Sequence, residues 1–128
     1  MIGKTMLNEK IQLIFKKYKE FLNTHSEEII KSTVNGAGPA GKGQWVRDTL
    51  FYKYCVTEAA NIHDFLYSSY GLKEISRKDA DEFFLFYMLT SLERQNEISK
   101  ILNRPLVYSY YYAVRAFGWS FWSKVKNS

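Results

Sequence analysis

The chain has only two histidines, and one of them, His63, stands beside Asp64 in "EAANIHDFLY" (residues 58–67), an otherwise largely apolar and aromatic run. Burying a polar side chain without a partner costs on the order of a few kcal/mol, so the surroundings of His63 decide its meaning. On a helix, Ala59, Ile62, His63, Leu66, Tyr67 and Tyr70 share one face, which turns His63 inward. Asp64 is rotated about 100° from that face and within reach of Tyr67 three residues on. Further along, Asp81 aligns with Phe84, Leu85, Met88 and Leu92, so it too points inward. An inward histidine and an inward aspartate on neighbouring helices satisfy each other most cheaply. The carboxylate then fixes the imidazole tautomer and leaves the other ring nitrogen as a base. In many proteins such a pair serves structure alone. Asp64, a second carboxylate with no evident capping role, favours chemistry, and an oxygen ligand of this kind suits Ca²⁺.

The glycine-rich stretch "GAGPAGKG" (residues 36–43) offers a second chemical motif. It matches a phosphate-binding loop for seven positions and fails at the eighth, where Gly43 replaces the hydroxyl that would hold Mg²⁺. No buried parallel strand leads into it. A loop bending through Gly36 and Gly38 could instead aim main-chain carbonyls at a cation, with Asp64 balancing the charge, or it could be a plain connection.

The elements that position these groups are read as helices. An apolar stripe at Leu7, Ile11, Ile14, Phe15, Tyr18, Phe21 and Leu22 predicts a first helix from Met6 to Leu22. Thr24 with Glu27 reads as a capping box for a short second helix carrying Ile29, Ile30 and Val34. Thr57 is placed as the cap of a helix from Glu58 to Tyr70, closed by Gly71. Ser76 with Asp79 reads as a capping box that opens a helix from Arg77 to Gln95, antiparallel to its predecessor. Pro105 is placed in the first turn of a last helix that Gly118 closes, ahead of an aromatic tail, "WSFWSKVK". The expected organisation is one all-α domain over residues 1–128. It comprises N-terminal helices (1–34), a Gly-rich loop and irregular segment (35–57), a core helix pair (58–96), and a C-terminal helix with the tail (103–128).

Composition agrees with a packed domain: 46% of residues are apolar and 17% aromatic. The formal charge of +5 is diffuse along the chain, so no clear nucleic-acid site is expected. The single cysteine, Cys55, excludes an internal disulfide framework and suits a reducing compartment. "MIGKTMLNEKIQLIF" is broken by polar residues before a signal-like stretch can build, and no run approaches the roughly 20 apolar residues of a membrane span. The expectation is a protein that is cytoplasmic when synthesised. Tyr108, Tyr110, Tyr111, Tyr112, Phe117, Trp119, Phe121 and Trp122 crowd the end of the chain. They are read first as packing against the first helix, and alternatively as a rim for a phospholipid or membrane surface, helped by Lys124 and Lys126.

"VNGAGP", then "EAANIHDFLY", then "DADEFF" resembles the phospholipase A2 superfamily, whose pattern runs Y-x-G-x-G, C-C-x-x-H-D-x-C-Y, then Asp. The resemblance covers roughly residues 34 to 90 and is closest to short phage and prophage proteins with NGxGPxG followed by EAxNIHDxxY, which implies a phage or prophage origin. It implies a phospholipase A2-like fold, in which two antiparallel core helices carry the His/Asp site. His63 takes the general-base position, Asp81 orients it, and Tyr67 supports the carboxylate. Ca²⁺ is held by Asp64 and the main-chain carbonyls of Val34, Gly36 and Gly38. Val34 stands where the pattern has tyrosine, and Ala59, Ala60 and Leu66 stand where the secreted enzymes have cysteines. The implied activity is Ca²⁺-dependent hydrolysis of phospholipid sn-2 esters. The alternatives are an inactive phospholipase-like phage structural or host-interaction module, and a basic nucleic-acid-binding protein.

Overall fold

The structure, a computed structural model, describes residues 4–34 and 56–126, with side chains from 8 to 34 and from 56 to 122. Residues 35–55, which hold the Gly-rich loop and most of the irregular segment after it, lie outside the described residues.

Every regular element among the described residues is a helix: α1 (Lys4–Thr24), α2 (Glu27–Thr33), α3 (Thr57–Tyr67), α4 (Arg77–Leu92), α5 (Glu97–Phe117) and α6 (Trp119–Lys126). None is long and apolar enough to cross a membrane. Several boundaries differ from the sequence expectation, each for a local reason. Thr24 closes α1, its hydroxyl donating to the Glu20 carbonyl, and Ser26 caps α2 by accepting from the Ile29 N–H. Thr57 lies inside α3, whose cap position is Val56 with no side-chain hydrogen bond. α3 stops at Tyr67, short of Tyr70, because a turn centred on Ser68 takes over. The Ser68 hydroxyl donates to the Phe65 carbonyl and accepts from the Tyr70 N–H.

α4 ends at Leu92 in place of Gln95, and α5 begins at Glu97, well before the expected start. Asn96 caps it by accepting from the Ser99 N–H, so Pro105 falls inside the helix. The expected tail is itself helical, as α6. At the start of α4 the capping box is present: Ser76 accepts from the Asp79 N–H, and the Asp79 carboxylate accepts from the Ser76 N–H. Lys10 of α1 donates to the same carboxylate at 2.9 Å. Partial burial works to raise the Asp79 carboxyl, but Lys10 and Ser76 together hold it below its ordinary value. Ser76→Ala is expected to cost about 1 kcal/mol, read as a lower midpoint in urea unfolding.

Two apolar clusters share α3 and α4. One joins Val56, Ala59 and Ala60 to Phe84, Met88 and Leu92 of α4 and to Val107, Tyr110 and Val114 of α5. The other joins Ile11, Ile14, Tyr18 and Phe21 of α1 to Ile62, Phe65 and Leu66 of α3 and to Ile75, Ala80 and Phe83. Large rings carry the α1 contacts, with Tyr18–Phe65 centroids at 5.5 Å and Phe15–Phe83 at 5.3 Å. The C-terminal helices pack mainly elsewhere than the first helix. α5 lies along α4, and α6 rests on α3 and α5. α4 is thus covered on two sides, and Asp81 sits where those sides meet.

A candidate active site around His63 and Asp81

His63 and Tyr67 occupy adjacent turns of α3, and Asp81 lies one turn into antiparallel α4. That places the carboxylate opposite both. His63 Nε2 lies 2.7 Å from Asp81 Oδ1, and the Tyr67 hydroxyl donates to the same oxygen at 2.7 Å. The imidazole is held between two rings, Tyr67 at 4.4 Å and Phe84 at 4.8 Å between centroids. Asp81 is fully buried and His63 is 8% exposed. No described residue bonds Nδ1, the other ring nitrogen, so with Nε2–H donating to the carboxylate Nδ1 is the basic atom.

Asp81 has two further partners that sequence reasoning missed. Arg115 of α5 donates to Oδ2 at 2.8 Å, and Arg77, one turn before Asp81, donates to it at 3.4 Å. Arg77 also donates to the main-chain carbonyls of Val114 (3.1 Å) and Arg115 (3.3 Å), tying the end of α5 to the start of α4. The Arg77 spacing to Asp81 carried a signal, four residues on one helix face. Arg115 is 34 residues away in sequence and carried none. One carboxylate oxygen therefore belongs to the arginines and the other to His63 and Tyr67. Burial works to raise the Asp81 carboxyl, but the donors from His63, Tyr67 and Arg115 hold it below its ordinary value. Burial first, then the bond to Asp81 and its charge, push the Tyr67 phenol above its own.

Gly118 closes the wall behind Tyr67. Its φ of −74° is open to any residue, so space is what requires glycine here. A Cβ would meet the Tyr67 hydroxyl oxygen at 2.5 Å and the Val114 carbonyl at 2.5 Å. Gly118→Ala is expected to destabilise by about 1–3 kcal/mol, more than the helical gain of alanine, and to displace Tyr67 from Asp81. Thermal unfolding and tyrosine fluorescence would read the two effects.

Of the remaining sequence-predicted site residues, Asp64 and Val34 are described. Asp64 is half-buried on the side of α3 facing α1, where its charge, after burial and Glu58, helps push the Tyr18 phenol up. Val34 ends α2 with extended backbone (φ −118°, ψ 95°), and its side chain packs against the α1–α3–α4 cluster. Gly36 and Gly38 lie outside the described residues. Among the described residues no three His, Cys, Asp or Glu side chains gather to hold a metal, so a cation here would draw on Asp64 and main-chain oxygens. Two members of that set are described, and both are oxygen donors. Asp64 is a hard oxygen donor, and the Val34 carbonyl falls beyond the last turn of α2, outside its hydrogen-bond ladder.

Comparison of the chain with protein-family models, with curated proteins and with solved structures finds no match.

Proposed function

We propose that this chain is a phospholipase A2-like hydrolase of phospholipid sn-2 esters that uses Ca²⁺, with His63 as general base. The observation that carries this reading is the division of His63. Nε2 is engaged by a fully buried Asp81, and Nδ1 has no described partner. In the proposed reaction Nδ1 takes a proton from water as the water oxygen bonds to the ester carbonyl carbon. The C–O bond to the glycerol oxygen then breaks, and the imidazolium returns the proton to that oxygen. Asp81 steadies the imidazolium and Tyr67 keeps the carboxylate in line. Ca²⁺, when bound by Asp64 and the Val34, Gly36 and Gly38 carbonyls, supplies Lewis-acid polarisation of the ester. The exposed rings of Phe117, Trp119 and Phe121, next to the Trp122 that packs on Tyr67, form the proposed contact with a lipid surface.

A second reading is a catalytically silent phage structural or host-interaction module. It is favoured by the two arginines on Asp81, a clamp that a purely structural network would also use. The nucleic-acid alternative has less support, because Lys10, Lys17, Lys78, Lys100, Arg77, Arg104 and Arg115 are all ion-paired. Fatty-acid release from phospholipid vesicles, with added Ca²⁺ and with chelator, separates the readings. Release that requires Ca²⁺ supports the hydrolase. A folded chain that releases nothing under either condition is the silent module.

A further inference from the structure

Helix α5 has two apolar faces, and among the described residues only one is packed against other helices. Val107, Tyr110 and Val114 are buried against α3 and α4. On the outer side Ile98 is 71% exposed, Ile101 72%, Leu102 68%, Leu106 44% and Tyr112 63%. Their spacing places them along one stripe of the helix. Single exposed apolar residues are ordinary, whereas a continuous stripe marks a contact surface. From these observations we infer that two copies of this chain pair through the outer face of α5.

Area and charge identify the occupant. At about 200 Å² for a fully exposed tyrosine side chain and about three quarters of that for an isoleucine or leucine, the stripe offers about 500 Å² per copy. That is about 1,000 Å² for a pair, the level a specific protein interface reaches. The basic side chains along one edge of the stripe are engaged: Arg104 contacts Glu93 at 3.3 Å and Arg115 contacts Asp81 at 2.8 Å. An anionic bilayer is recognised by a rim of free basic groups, whereas both arginines at this edge are held by carboxylates of the chain, which suits a protein contact.

The stripe also complements itself. Ile98 and Tyr112 lie equally far on either side of residue 105. A two-fold axis there sets Ile98 of each copy against the cluster of Tyr112 with Tyr108 (6.4 Å) and Tyr111 (5.4 Å) on the other. The two helices then run antiparallel with opposed dipoles. This pairing does not depend on the proposed hydrolase.

Sedimentation equilibrium of the full chain, from micromolar to submillimolar concentration, tests it. The expected mass is twice the 15.1 kDa of one chain. The double variant Ile101→Glu with Leu102→Glu is expected to raise the dimer Kd at least about a hundredfold with unchanged helical circular dichroism. Phe86→Glu, on the outer side of α4, is expected to leave the dimer intact. Should the double variant lose helicity, Tyr112→Glu reads the same face. A wild-type chain of single mass throughout overturns the inference, as does a dimer indifferent to these variants at α5. A single-mass chain that sediments with anionic vesicles also overturns it and makes lipid the occupant.

Discussion

Replacement of His63 by glutamine is expected to lower ester hydrolysis by about 10²–10⁴-fold, the usual contribution of a positioned general base. Glutamine is the informative substitution because it removes the base and keeps a hydrogen-bond donor. Its amide can still donate to Asp81 Oδ1, so the carboxylate that His63 contacts at 2.7 Å is not left unpaired. What glutamine cannot do is accept and carry a proton. It also loses the tilted ring contact with Phe84, so a stability loss of about 1–2 kcal/mol is expected. Fatty-acid release and thermal unfolding, measured on one preparation, separate the effects. A folded variant that hydrolyses at the wild-type rate would remove His63 from the mechanism.

Asp81→Asn is expected to be the most destabilising change in the site, at about 3–5 kcal/mol near neutral pH. The side chain has no solvent exposure, and it receives donors from His63, Tyr67, Arg77 and Arg115. Asparagine is nearly isosteric, so packing survives, but two guanidinium groups lose their counter-charge and one amide cannot accept all four donors. The pH dependence follows from the sign of the shift. The Asp81 carboxyl is held below its ordinary value in the folded chain, so its contribution is complete above the unfolded-state value of about 4. It is lost as pH falls through the folded-state value. The gap between wild type and Asp81→Asn should therefore be widest near pH 7 and close in acid. Asp79, also depressed, is common to both chains and cancels in the comparison. Urea unfolding at several pH values measures the gap, and one that stays constant into acid would mean that Asp81 is not ionised when folded.

Much of the cluster was legible because helical periodicity is a strong code. It turned His63, Tyr67 and Asp81 inward, and the "GLKEIS" connection made their helices antiparallel neighbours. The Ser76–Asp79 box was equally local and is present. Sequence reading fell short where a local signal met a competing one. Thr24 resembles a cap, but its hydroxyl turns back to the Glu20 carbonyl, and Ser26 does the capping. Pro105 resembles a helix start, but Asn96 had already begun the helix. Arg115 was not legible at all. Its role arises only when α5 docks along α4, a long-range event with no trace in spacing. The all-helical class is evident in the described residues, and a phospholipase-like fold within that class is a proposal.

The route by which Arg77 reaches both Asp81 and the last carbonyls of α5 bears on how the molecule opens and closes. A desolvated acid whose counter-charges come partly from the final long helix cannot be comfortable until that helix arrives. Release of residues 114–118 and disruption of the turns around His63 should thus occur as a single cooperative event. In native-state hydrogen exchange the amides of both segments would share one opening free energy, well above that of the frayed ends.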